Sequence, residues 1–584
     1  MTLALTGHAV TSGIAIGRTH LAERNELEIG EHRIAASAVD AEILRYRQAL
    51  ESAREQLDQL ASRVTKDVGV SASEIIQTHV MMLSDSTIQQ ATEDHIRQEL
   101  CNAEWALQSQ LEKILVEFRS MDDEYIRSRG EDIIQVVRLV QGKLNQEASE
   151  QSFENIPDRL AETLVIASEL TPGELAILHE RGVAGIVTEH GGPHSHTAIL
   201  ASSFGIPTVL GVRLAQKLLR EGELLVLDGR LGVVYADPDE AILKHYHQVQ
   251  RDTARFKASL ETVRDRPCRS LDGESIKLYG NGEREEELLQ AIDLGAAGIG
   301  LYRTEFLYLR GIAPGEEEQF REYASAVKVL NGVPLTIRTL DLGADKTAGP
   351  IDFSQLPRSA NPALGLRAIR LCLRETDLFK TQLRAILRAS ALGPVRCLLP
   401  MLTSEREIQM VHSLLNQVRD DLKEKGQAYD PHMPVGGMIE VPAAAMAIEE
   451  LGRHMDFLSV GTNDLLQYAL AADRLDEQVA HLYEMQHPGV IRLLQNIFRA
   501  ADKLNIPVAV CGEAAGNRRY TRLLLALGLK EFSMHTTHLL EVKKMINETH
   551  IQRARAGLTH WLNEPDDRRE LSLLQFLDQS QLTG

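Results

Sequence analysis

Several stretches of this chain combine residue types that can move or hold a charged group. The first is Gly191-Gly192-Pro193-His194-Ser195-His196-Thr197, followed by apolar Ala198-Ile199-Leu200. Two glycines permit a tight turn. The helix that follows would offer free N–H groups and the positive end of its dipole to an anion. A neutral imidazole is nucleophilic near neutral pH and can carry a phosphoryl group as a labile phosphoramidate. Two other uses of these residues stay open: His190, His194 and His196 as metal ligands, or a structural helix cap.

The second group is a pair of arginines. Arg303 lies in Gly300-Leu301-Tyr302-Arg303-Thr304-Glu305-Phe306, and Arg338 in Ile337-Arg338-Thr339. Guanidiniums converging from neighbouring strands can hold a phosphate by bidentate bonds; the alternative is paired surface arginine. The third group joins Glu440, in Gly437-Met438-Ile439-Glu440-Val441-Pro442, to Asp464, in Ser459-Val460-Gly461-Thr462-Asn463-Asp464. Two carboxylates at adjacent strand ends make a hard oxygen site fit for Mg²⁺, which would bridge substrate oxygens. They could instead pair with barrel arginines. Arg474 follows ten residues after Asp464 and could bind a substrate carboxylate. The fourth group is Val510-Cys511-Gly512-Glu513. A thiol beside a phosphate site can protonate a carbon, although a lone cysteine is more often a small buried apolar residue.

These residues need elements to position them. From about residue 270 the pattern alternates strand and helix. Strands are expected at Ile276–Asn281, Gly298–Tyr302, Pro334–Leu340, Val395–Pro400, Val435–Glu440, Phe457–Val460, Ile506–Cys511 and Glu531–Met534. Eight strands alternating with helices imply a closed (β/α)₈ barrel, whose chemistry sits where strands end. Asn281, Arg303, Arg338, Glu440, Asn463, Asp464 and Cys511 all fall at such ends. Before the barrel, Leu164–Ala167 and Gly185–Thr188 read as strands and Val226–Gly229 with Val233–Tyr235 as a hairpin, giving a small α/β domain. The strand-like Gly13–Gly17 would complete its sheet, making the helical stretch 39–145 an insertion. There Ile43, Tyr46, Leu50, Ala53, Leu57, Leu60 and Val64 recur at spacings of three and four, and further apolar runs surround Ile75, Ile76, Val80 and Leu83, then Trp105 to Phe118. Four to five helices fit. They are either a plain scaffold or a docking platform. A polar helix-like connector follows at 239–262.

Composition bounds the rest. The chain has 584 residues, 43% hydrophobic and 25% charged, with net charge −20. Such a balance suits globular domains and disfavours non-specific binding to nucleic acid or an anionic membrane. No apolar run approaches a membrane span, and Met1 to Gly17 does not read as a signal peptide. Five scattered cysteines without a CxxC pair suggest neither disulfides nor a cysteine zinc site, and point to the reducing cytoplasm.

Together the motifs resemble the Enzyme I family, the phosphoenolpyruvate–protein phosphotransferases that start bacterial sugar or nitrogen phosphotransferase systems. The resemblance covers nearly the whole chain. It rests on GG-x-x-SHT, GLYRTEF, the Thr462–Tyr468 run with its trailing Asp473-Arg474, and VCGE. His79-Val80-Met81-Met82-Leu83 and Asp122-Asp123-Glu124-Tyr125 add to it. It implies that His196 carries the phosphoryl group. Arg303 and Arg338 would bind the phosphate of phosphoenolpyruvate, and Asn463 and Arg474 its phosphate or carboxylate region. Glu440 and Asp464 would hold Mg²⁺, and Cys511 would protonate the enolate carbon to give pyruvate. The implied architecture is a phosphohistidine α/β domain (1–21 and 145–240) with a helical insertion (22–144) that docks the phosphocarrier HPr or a paralogue. A connector (241–267) and a barrel that dimerises (268–584) follow. His194 and Ala344 depart from the family pattern. Pyruvate phosphate dikinase or phosphoenolpyruvate synthase share the histidine and barrel domains, but need a large nucleotide-binding domain before the histidine. Fewer than 200 residues precede His196 here, with no Gly-rich nucleotide loop. An inert carrier-binding regulator would not need the full reactive set.

Overall fold

The computed structural model describes residues 2–11, 13–22, 30–67, 78–83, 86–119, 124–145, 160–192, 195–308, 313–342, 361–474, 476, 478–564 and 572–581. Ile75, Ile76, Asp122, Asp123, His194 and Ala344, which entered the sequence reading, lie outside these residues. The chain divides into two compact units, Met1–Ala254 and Arg255–Gly584. The boundary falls inside one helix, Glu240–Glu261.

In the first unit eight strands form one sheet. They are β1 (Leu3–Thr6), β2 (His8–Ala9), β3 (Ile14–Ala22), β4 (Thr163–Ala167), β5 (Gly185–Thr188), β6 (Thr208–Leu210), β7 (Leu224–Asp228) and β8 (Val233–Ala236). Their order is β1-β8-β7-β3-β4-β5-β6-β2. Strand β3 pairs parallel with β4 and antiparallel with β7, so the N-terminal segment sits mid-sheet. β4 and β5 are almost continuously apolar because both faces of the sheet are covered. Alternate residues divide between two cores. Leu164, Ile166 and Val187 join one, with Val209 and Leu227. Val165, Ala167 and Ile186 join the other.

That second core also contains the helical run. Helices Val39–Asp67, Ser86–Glu99, Ala103–Arg119 and Glu124–Leu144 contribute Tyr46 and Leu50, Ile96, Leu107 and Val137 to it, in that order. The seam residues Ile43, Tyr46, Leu50, Ala53 and Leu57 are buried. Helices and sheet face therefore share one continuous apolar interior. Arg45 fixes the bundle further by reaching Glu104 at 2.7 Å and Glu42 at 2.6 Å.

In the second unit eight parallel strands close into a barrel. They are β9 (Lys277–Gly282), β10 (Ile299–Tyr302), β11 (Leu335–Arg338), β12 (Val395–Leu399), β13 (Val435–Ile439), β14 (Phe457–Val460), β15 (Val508–Val510) and β16 (Glu531–His535). Closure is direct: Glu531 to His535 of β16 pair in register with Lys277 to Asn281 of β9. The strands and the order expected from the sequence are the ones observed. Leu301, Leu398, Met438, Phe457 and Cys511 make an apolar cluster inside the barrel. The larger core lies between strands and outer helices. All five cysteines are free. Among the described residues no helix is long and apolar enough to cross a membrane.

Candidate active site at the barrel mouth

Arg338 is the last residue of β11, and its guanidinium is almost wholly enclosed. Nη2 lies 3.1 Å from Glu305 and Nη1 3.0 Å from Asp341. Nε is buried and makes no hydrogen bond among the described residues. Burial alone would make this group easier to deprotonate, but the Glu305, Asp341 and Glu440 carboxylates outweigh it and hold it firmly cationic. Asp341 also binds Arg367, at 2.8 Å, and Arg367 reaches Asp464 at 3.3 Å. Charges thus alternate across the mouth: Glu305, Arg338, Asp341, Arg367, Asp464.

Glu440 follows β13 and is buried. Its Oε1 accepts the Met401 N–H at 2.6 Å. Burial and the nearby charges of Asp341 and Asp464 push its carboxyl up to about 8, against the opposing pull of Arg338. A proton there offsets the crowding of three carboxylates, which a cation would offset better. Two carboxylates plus water and substrate oxygens suit Mg²⁺, which seldom occupies an all-protein cage. Among the described residues no group of three or more His, Cys, Asp or Glu side chains is placed to hold a metal ion.

Cys511 directly follows β15 and is buried, its thiol 3.6 Å from the Val460 carbonyl. Burial pushes this thiol up to about 11, and Glu440, Arg338 and Arg303 all act on it electrostatically. At neutral pH it holds its proton. Arg303 is half exposed and pairs with Glu283 at 3.1 Å. Asn463 opens the helix Thr462–Leu470 and is clamped to Glu513 twice: its Nδ2 donates to the Glu513 carboxylate, and its Oδ1 accepts the Glu513 N–H, each at 2.9 Å. Arg474 lies 3.7 Å from the same carboxylate. Two glycines are required here. A Cβ on Gly461 would sit 2.6 Å from Glu440 Oε2, and one on Gly512 would run into Thr462 and Asn463.

The structure therefore brings Arg303, Arg338, Glu440, Asp464 and Cys511 into one electrostatic group, with Asn463 and Arg474 joined through Glu513. His196 lies in the other unit. Ser195 caps the helix His196–Ser203, accepting the Ala198 N–H at 3.2 Å and donating to the Gly192 carbonyl at 2.9 Å. The sequence reading missed Arg367, which precedes a helix rather than ending a strand. Its signal was a lone cation after the turn Pro362-Ala363-Leu364-Gly365. It also missed Met401, whose contribution is a backbone N–H. Met401 and Ala368, next to Arg367, both hold positive φ, 58° and 52°. Strained backbone of this kind gathers where surrounding structure over-determines a site.

Comparison with known proteins now bears on this geometry. The PEP-utilising enzyme, PEP-binding domain family matches residues 257–551. The N-terminal and mobile domains of PEP-utilising enzymes match 6–129 and 160–232. A phosphoenolpyruvate-protein phosphotransferase of Cupriavidus necator is 41% identical over 99% of this chain and all of its own length. This chain belongs to the phosphoenolpyruvate-protein phosphotransferase family. Relatives of the same name from Priestia megaterium (36% identical, 94% of each chain) and Haemophilus influenzae (35%, 96% of each) agree. An Enzyme I solution structure is similar at 30% identity over 43% of this chain and 99% of that one, with a TM-score of 0.37.

Proposed function

We propose that this chain takes the phosphoryl group of phosphoenolpyruvate onto His196, releases pyruvate, and passes the group to a histidine of an HPr-type phosphocarrier. This would be the first step of a sugar phosphotransferase system. The carrying observation is Arg338: a buried cation at a strand end, with an N–H unpartnered among the described residues, in a family of phosphoenolpyruvate-dependent transferases. Arg303 and Arg338 bind the phosphate. Asn463 and Arg474 take the rest of the substrate's negative charge once Glu513 gives them up.

An imidazole nitrogen of His196 forms the new N–P bond as the bridging P–O bond breaks. The electron pair stays on the enolate oxygen. The methylene carbon then takes the Cys511 proton, giving pyruvate and a thiolate beside Arg303 and Arg338. Catalysis of this kind is mostly positioning and charge stabilisation. Glu440 and Asp464 would hold Mg²⁺, which when bound supplies positive charge against substrate oxygens. The helical run docks the carrier, and the barrel pairs with that of a second copy. The free cysteines suit the cytoplasm.

The test is incubation with labelled phosphoenolpyruvate, Mg²⁺ and an HPr-type carrier, without nucleotide. Label should reach His196 and then the carrier, and His196→Ala should take none. Label on the His196→Ala protein would move the assignment elsewhere. An absolute need for ATP would overturn the reaction.

A further inference from the structure

Behind Arg338 lies a buried polar chain that touches no substrate-facing group. Gln382, on the helix Thr376–Ser390, is 1% exposed. Its Oε1 accepts the Leu340 N–H at 3.0 Å. Its Nε2 donates to Thr304 Oγ1 at 3.1 Å and approaches the Tyr323 hydroxyl at 3.4 Å. The Thr304 hydroxyl in turn donates to the Arg338 carbonyl at 3.0 Å. Tyr323 passes its proton toward Gln319 Oε1, at 3.1 Å, and Gln319 Nε2 donates to the Pro314 carbonyl at 3.0 Å. Thr304, Gln319, Tyr323 and Leu340 are all buried.

The direction of these bonds matters. One side-chain amide holds the residue after Arg303 with its donor and the segment after Arg338 with its acceptor. The Thr304 hydroxyl can donate to the Arg338 carbonyl because Gln382 supplies the bond it accepts. An apolar replacement would remove both ends, leaving the Leu340 N–H and the Thr304 lone pair unsatisfied in a dry interior.

We propose that Gln382 is a positioning residue for phosphate binding: it sets the spacing between the Arg303 and Arg338 strand ends through Thr304 and Leu340. This rests on the functional reading above, in which those arginines hold the phosphate of phosphoenolpyruvate. An error of about 1 Å in such placement can cost on the order of a hundredfold in rate.

Gln382→Met keeps the length of the side chain and removes both bonds. It is expected to lower kcat/KM for phosphoenolpyruvate, read as labelling of His196, by about tenfold or more. KM should rise. Transfer from already phosphorylated His196 to an HPr-type carrier should stay within about twofold, because that half-reaction does not use the barrel. Thr304→Val should give a similar fall, and Thr304→Ser should recover most of it. The double variant Gln382→Met/Thr304→Val should fall no further than the worse single one, as expected for one coupled unit. Should Gln382→Met fail to fold, the Thr304→Val and Thr304→Ser pair decides alone. The inference is overturned by a folded Gln382→Met, or a Thr304→Val, with wild-type kcat/KM. Equal losses in both half-reactions, or multiplying effects in the double variant, overturn it too. Wild-type protein that takes no label sinks the functional reading and this inference with it. Labelled wild type with unaffected variants sinks the inference only.

Discussion

In the proposed reaction the histidine segment and the barrel mouth handle the same phosphoryl group, with opposite construction. Around His196 the described contacts are few and mostly local: one serine cap, one glycine turn and one eight-residue helix, with a longer tie from the Thr197 hydroxyl to the Leu170 carbonyl at 3.1 Å. At the mouth most partners are distant in sequence, the Arg338–Asp341 pair excepted. Glu305, Arg338, Asp341, Arg367 and Asp464 interlock from four separate loops and strand ends. A carrier that must present its group to two partners needs few fixed contacts. A site that must stabilise a charge-rich transition state needs many, set in advance.

This contrast can be broken at either end. Cys511→Ala leaves the arginines in place and removes the proton donor. Pyruvate formation should fall by about a hundredfold or more, within the range for general acids. A coupled assay for pyruvate checks it, and a loss under threefold would remove Cys511 from the mechanism. Gly512→Ala adds one carbon against the Thr462 N–H, which it would approach to 2.8 Å. Moving Asn463 and Asp464 with that loop should cost about tenfold in kcat/KM for phosphoenolpyruvate. Steady-state kinetics reads this directly.

A purely structural carboxylate in the same unit sharpens the point. The Asp272 side chain is largely enclosed, which alone would raise it. The Ser270 hydroxyl and the N–H groups of Gln552 and Ile551 outweigh burial and hold it at about 2. Its folded value lies below the unfolded one of 3.8. Its stabilisation is therefore complete above the unfolded value and is lost as pH falls through about 2, about 2 kcal/mol in all. Urea midpoints of wild type and Asp272→Asn should converge over that window. Glu440 shifts the other way, its charged form opposed by burial and by Asp341 and Asp464. The smallest effect belongs to the local site: Ser195→Ala should cost about 1 kcal/mol of stability in thermal melts. Labelling of His196 should persist.

The same division decides what the sequence made legible. Strand ends carried their chemistry openly, because a two-residue period and a terminal Arg338, Glu440 or Cys511 can be read from a few neighbours. The eight barrel strands and the helix start at Ser195 followed from equally short patterns. Arg367 could not be found this way, since only the fold brings it to Asp341 and Asp464. The acidic partners of Arg338 were visible as letters, yet nothing local said they would clamp its guanidinium. The Met401 N–H has no side-chain signal at all. Nor did spacing reveal that the helical run and the sheet share one interior, because Val165 and Ile186 meet Tyr46 and Val137 only after folding.

The pairing of β16 with β9 also imposes an order on biosynthesis. The sheet of the first unit has its last strand once Ala236 has left the ribosome. The barrel waits for His535, about 300 residues later. At roughly 5–20 residues per second this is a delay of about 15–60 s. During it β9 and whichever barrel strand was made last present unpaired edges, a liability for a nascent chain. A ribosome stalled or a message truncated between those points would yield a finished eight-stranded sheet tethered to an open, adhesive partial barrel.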